Sequence, residues 1–122
     1  MEQIRQIIYY KHHFEEFFNE QTEKVKAKID EVLFLITIVD RVPKKFLDHM
    51  AGTSGLYEVR VELGSNIFRA FCCFDEGSLV VLFNGFQKKT QKTPRSEIQK
   101  AERLKAEYFE EKRKTKDHER KK

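Results

Sequence analysis

Apolar positions recur along the chain in two periods, and the switch between them lays out the elements. Ile4 to Tyr10 is β-branched and aromatic, the content of a strand. Phe14, Phe17 and Phe18 then fall at i, i+3 and i+4, one face of a short helix. Val25, Ile29, Val32, Leu33 and Ile36 keep helical spacing and predict an amphipathic helix that runs to about Val39, because Pro43 blocks its continuation. Asn19 or Thr22 is placed to cap it. Together the two segments make a helical hairpin whose apolar face requires a sheet.

The sheet is predicted downstream. Phe46 to Gly55 reads as a connector ending in a turn-forming Gly-Thr-Ser-Gly run. From Leu56 to Leu63 the alternation is clean, with Tyr57, Val59, Val61 and Leu63 on one face and Glu58, Arg60 and Glu62 on the other. Gly64-Ser65-Asn66 turns the chain back into a strand over Ile67 to Phe74. Asp75 to Ser78 turns it again into the apolar run Leu79 to Phe83, after which Gly85 is expected to relax the backbone. Such short turns imply an antiparallel meander. Thr93-Pro94 resembles a helix start, and Ile98, Ala101, Leu104, Tyr108 and Phe109 form the apolar stripe of a closing helix. The fold class is therefore α+β: an antiparallel sheet, made of the N-terminal strand plus a three-strand meander, packs against a helical hairpin and is completed by a C-terminal helix.

Length bounds this picture, since 122 residues suit one domain with a single modest core. No apolar run approaches the ~20 residues needed to span a bilayer. The N-terminus lacks the apolar core and small-residue cleavage site of a signal peptide, so a cytoplasmic location is expected. Cys72 and Cys73 are adjacent within a strand, point to opposite faces and are expected to fill core space.

The formal net charge of +4 changes meaning once it is located. Residues 111–122 hold seven Lys/Arg against three acids, so this segment alone supplies +4 and the rest of the chain sums to zero. It contains no aliphatic or aromatic residue, and is expected to be a helix extension or a disordered tail beyond a domain at 1–110. Within that domain charge is segregated: Glu15, Glu16, Glu20 and Glu23 gather early, whereas Lys88, Lys89, Lys92 and Arg95 follow the last strand with no acid between them. Such a lysine-rich loop, read alone, is a solvated surface.

Arg69 sharpens the question, being the sole charge in an otherwise apolar strand. A guanidinium there needs either a cross-strand carboxylate, Glu58 or Glu62, or an anionic ligand. Arg60 lies on the neighbouring strand and the third strand delivers Lys88 and Lys89 beside it, a convergence that suits a polyanionic backbone. His12 and His13 have no further ligands at metal-site spacing, and no cofactor is implied.

The run Gly55-Leu56-Tyr57-Glu58-Val59-Arg60-Val61, then Phe68-Arg69, then Phe86-Gln87-Lys88-Lys89-Thr90-Gln91-Lys92-Thr93-Pro94 resembles the RelE/HigB-type toxins of bacterial type II toxin–antitoxin systems, in their phage-derived HigB-like branch. The resemblance covers roughly Phe14 to Tyr108. It implies a RelE-like fold and a metal-independent, ribosome-dependent mRNA endonuclease that enters the ribosomal A site. There the nucleotide's own 2′-hydroxyl attacks the adjacent phosphodiester. Carried over residue by residue, Arg69 matches the strand arginine on the scissile phosphate, Arg60 a basic position on the preceding strand, and Lys88 the basic residue after the last strand, with Lys89 beside it. Lys92 and Arg95 extend the RNA-binding set. Glu58 stands where some relatives carry a lysine, and a C-terminal tyrosine of the family has no clear match; Glu58 and His49 both remain candidates for the base. The implied partner is a HigA-like helix-turn-helix antitoxin, through which alone operator DNA would be reached. The alternatives are a noncatalytic RNA- or ribosome-binding module and an inactive prophage remnant that only binds an antitoxin.

Overall fold

The computed structural model describes residues 2–120. In chain order it contains β1 (Gln6–Tyr9), α1 (His13–Asn19), α2 (Glu23–Ile38), β2 (Leu47–His49), β3 (Tyr57–Leu63), β4 (Asn66–Asp75), β5 (Leu79–Lys88) and α3 (Arg95–Arg120). The strands form one sheet in the order β1-β5-β4-β3-β2. Each of β2 to β5 runs antiparallel to the next, and β1 lies parallel to β5.

The α+β architecture is the expected one, with three differences in the sheet. Leu47–His49, expected within a connector, is a strand paired with Tyr57 to Val59, too short for its alternation to be read. β1 is parallel to its neighbour; side-chain alternation is the same in either orientation and does not report it. β5 does not end at Phe83 but continues to Lys88 through an irregularity: Cys72 pairs with Leu82 and Ala70 with Gly85, so Phe83 and Asn84 together oppose Phe71, the count of a β-bulge.

The sheet is covered on both faces. α1 and α2 pack on one, burying Phe14, Phe17 and all five residues of the α2 stripe against Val59, Val61, Phe68, Ala70, Cys72, Val80 and Leu82. α3 packs on the other, placing Ala101 and Leu104 against Leu56, Phe71, Cys73, Val81, Phe83 and Phe86. The adjacent cysteines are thus divided between two cores, both as free thiols; burial pushes Cys73 up to about 11.

Local chemistry fixes the layers. Thr22 caps α2, its hydroxyl accepting from the Val25 amide at 3.3 Å. At the other end the Arg5 guanidinium donates to the carbonyl of Ile36 at 3.0 Å, a group that a helix terminus leaves without a partner, and to that of Asp40, just past the helix, at 2.6 Å. Gly85 is required by close approach, because a β-carbon there would overlap the Phe17 ring. Pro94 stands immediately before α3, its carbonyl accepting from Glu97 at 3.1 Å and Ile98 at 3.3 Å. Further along α3, the Tyr108 hydroxyl donates to Asp75 at 2.7 Å, and Lys112 donates to both Asp75 oxygens at 2.9 and 2.7 Å. Residues 111–120, expected as a helix extension or a disordered tail, continue α3 without a break, and residues 121–122 lie outside the described residues. Among the described residues no helix is long and apolar enough to cross a membrane.

Candidate functional site

Paired residues of neighbouring strands share a face, and the register stacks three charged rows on the α3 side of the sheet. Asp48, Glu58 and Phe71 make one row, Arg60, Arg69 and Phe86 the next, Glu62, Ile67 and Lys88 the third. Arg60 and Arg69 are therefore direct cross-strand partners. Like charges so placed repel, and the strands tolerate them because Glu58 stands one row away.

The Glu58 carboxylate reaches both. Its Oε1 lies 3.3 Å from Arg60 Nη2, and its Oε2 lies 3.9 Å from Arg69 Nε. Asp48 adds a longer contact, Oδ2 to Arg60 Nη2 at 3.8 Å. Glu58 and Arg69 are only 5% and 7% exposed, which makes this a desolvated cluster in which charges act strongly. Arg69 also donates from Nη1 to the Phe68 carbonyl at 3.1 Å. Burial lowers its guanidinium from the ordinary value, with Glu58 and Glu62 opposing and Arg60 reinforcing the shift. It stays charged at neutral pH, as arginine does throughout proteins. Glu58 Oε2, Arg60 Nε and Arg69 Nε are all buried without a hydrogen-bond partner. Three such atoms in one cluster are costly to bury.

The cationic arm follows. Lys88, half-buried, occupies the row next to Arg69. Lys89, Lys92 and Arg95 are exposed between the end of β5 and the first residue of α3. Lys88 and Lys89 line a cleft with Ser65, Ile67, Thr90 and Gln91, between the β3–β4 turn and the loop before α3. Among the described residues no carboxylate forms an ion pair with these four cations.

His49 is not brought to the cluster. It pairs with Tyr57, whose side chain belongs to the hairpin face, and its ring meets Tyr57 edge-on with centroids 5.3 Å apart. The sheet separates it from Arg69, and one residue of strand register is the reason.

Two residues escaped the sequence reading. Asp48 reaches Arg60 because β2 exists; the signal was the alternation of buried Leu47 with Asp48 and His49, only three residues long. Asn84, fully buried, donates from Nδ2 to Glu97, to its carbonyl at 3.2 Å and its carboxylate at 3.0 Å, tying β5 to the first turn of α3. Nothing in the spacing of apolar residues announces it.

No curated protein matches the chain. Among solved structures it is similar to a chain of the archaeal RelE-RelB complex from Pyrococcus horikoshii OT3, at 15% identity over 67% of this chain and 92% of that one, with a TM-score of 0.50. At that identity the likeness speaks for the fold, a RelE-like one. The family described as phage derived protein Gp49-like (DUF891) matches residues 16–106, a span that begins within α1 and contains α2, the whole meander, the Glu58–Arg60–Arg69 cluster and the Lys88 loop. The chain belongs to this phage-derived Gp49-like family of RelE/HigB-type toxins.

Proposed function

We propose that the protein is the toxin of a toxin–antitoxin pair and acts as a metal-independent, ribosome-dependent mRNA endonuclease. The observation that carries this is the in-register pair Arg60 and Arg69, partly desolvated, with Lys88 in the adjoining row. Two fixed guanidiniums and an ammonium on one face suit a phosphate whose charge grows during reaction. In the reaction the ribose 2′-oxygen bonds to phosphorus and gives its proton to a base. The P–O5′ bond breaks, the leaving oxygen takes up a proton, and a 2′,3′-cyclic phosphate and a 5′-hydroxyl end result. Glu58 is the carboxylate that Arg60 and Arg69 share and holds the position of base or of base-orienting group; His49, on the far face, does neither. Lys89, Lys92 and Arg95 contact flanking phosphates.

The partners in this reading are the ribosomal A site and its message, and a HigA-like helix-turn-helix antitoxin that masks the toxin as RelB accompanies RelE in the archaeal complex. Operator DNA is reached through the antitoxin, and the site of action is the cytoplasm.

One observation favours a second reading, a noncatalytic ribosome- or RNA-binding module: the buried Glu58 carboxylate is already shared by two arginines. Mapping of 5′ ends in a translating extract separates the two. Cuts that require ribosomes and vanish with Arg69→Ala are expected. Intact message with translation still blocked would replace the nuclease by the binding module, and intact message with normal translation would leave an antitoxin-binding remnant.

A further inference from the structure

β2 is short, and what its end leaves open lies next to Arg60. Leu47, its first residue, pairs with Val59. One step beyond, the Arg60 amide donates to the Phe46 carbonyl at 2.8 Å. Amides two residues apart on a strand point to the same side, so the Glu62 N–H is directed past the end of β2 at the same edge. Along this edge runs a cavity of about 250 Å³ lined by Lys28, Lys45, Phe46, Arg60, Glu62 and Gly64.

We propose that this cavity is a second phosphate subsite for the same RNA strand, one step along from the Arg60–Arg69 face. The inference rests on reading that face as a phosphate site. Three cations meet one carboxylate in the lining, and they arrive from three different places: Lys28 from α2, Lys45 from the α2–β2 loop and Arg60 from β3. Convergence from separate elements differs from a run of charge along one helix, whose members spread into solvent. Lys45 is exposed and its ammonium stands 5.6 Å from the centroid of the half-buried Phe46 ring, which forms an apolar floor beneath it. Lys28 is held by Glu31 at 3.4 Å on its own helix, a solvent-facing contact that an anion readily displaces. An ammonium pair, the shared Arg60 and a directed backbone N–H are the donor set of a phosphate, and the Phe46 floor suits the attached sugar. With Lys88 and Lys89 on the other flank, the backbone would run from Lys45 and Lys28, across Arg60 and Arg69, to the loop before α3.

The probes are 5′-fluorescein oligouridylates of two and four nucleotides, 2′-O-methylated so that no cleavage intervenes, titrated by anisotropy against the full chain. The longer probe is expected to bind wild type about tenfold more tightly than the shorter one. Lys28→Ala/Lys45→Ala should lose that gain, keep its hold on the two-nucleotide probe and show a salt dependence shallower by about 0.7 in log K per log salt, the mark of one lost phosphate contact. Glu62→Gln should tighten the longer probe, an effect that a merely unfolded variant cannot imitate. Equal gains in wild type and the double variant would overturn the subsite while leaving the Arg60–Arg69 face intact. A wild type that fails to bind even the two-nucleotide probe would overturn both readings together.

Discussion

Glu58 Oε2 and Arg69 Nε face one another at 3.9 Å, both buried and neither with a hydrogen-bond partner. Because Glu58 also holds Arg60, the carboxylate is the hub of the cluster and each arginine a spoke. Breaking a buried pair from the hub side costs about 3–5 kcal/mol, and it leaves two guanidiniums in register with nothing between them. Glu58→Ala is therefore expected to destabilise more than Arg69→Ala, which leaves Glu58 with Arg60. Urea denaturation of the two variants checks the order; a reversed order would show that Arg69 is held by something other than the carboxylate.

Lys88 and Lys89 should separate function from stability. No carboxylate among the described residues pairs with them, and Lys89 is exposed, so their joint replacement by alanine is expected to stay within about 0.5 kcal/mol of wild type. The same variant should lose affinity for RNA and have a weaker salt dependence. A large fall in melting temperature would instead assign the two lysines to the fold.

The packing of Phe17 on Gly85 predicts a size-dependent penalty. Gly85→Ala inserts a methyl group where the aromatic ring already lies, at an expected cost of about 1–3 kcal/mol. Adding Phe17→Leu should recover part of it, giving a non-zero coupling energy in a double-mutant cycle. Additive losses would mean that the strand, rather than the ring, objects to the change.

The docking of α3 should titrate. Burial on its own raises the Asp75 carboxyl, but its bonds to Lys112 and Tyr108 outweigh that in sum, and its pKa falls below the ordinary value. A carboxyl depressed in the folded state contributes stability above its unfolded value, about 3.9, and loses it as pH falls through the folded value. Burial, followed by the bond to Asp75, pushes the Tyr108 hydroxyl up to about 12. A phenol raised in this way contributes stability below its unfolded value of about 10 and loses it as pH climbs toward the folded one. The advantage of wild type over Asp75→Asn should hence be flat between these limits and shrink at both ends, as melting temperatures across pH would show. A difference independent of pH would remove the carboxylate from the account.

The legible parts of the sequence were those with a long enough period. Val25, Ile29, Val32, Leu33 and Ile36 are all buried, and Tyr57 to Leu63 divide between the faces as their alternation indicates. Arg69 was legible for a different reason, as one charge among apolar neighbours. His49 was misplaced and Asp48 overlooked for the same cause: β2 is three residues long, and within three residues a strand and a loop look alike. The orientation of β1 was invisible because pleating does not depend on direction. The closeness of Arg60 to Arg69 follows from a turn length, Gly64-Ser65, that sets the register of the β3–β4 pair.

The extra residue at Phe83–Asn84 has a consequence for Lys88. Through Phe83, odd-numbered residues of β5 meet α3; beyond the bulge, Gly85 lies under Phe17 on the hairpin side while Phe86 meets α3. Parity has been inverted. Were the same residues to run on in regular alternation, with no bulge, Lys88 would be turned toward the hairpin and Gln87 would take its place beside Arg69. The count of residues between the β4–β5 turn and the lysines thus carries information that their identity does not: losing one of the two bulged residues would leave Lys88 on this face, whereas a single-codon insertion between the bulge and Gln87 would set Gln87 in its place without touching any of the cations.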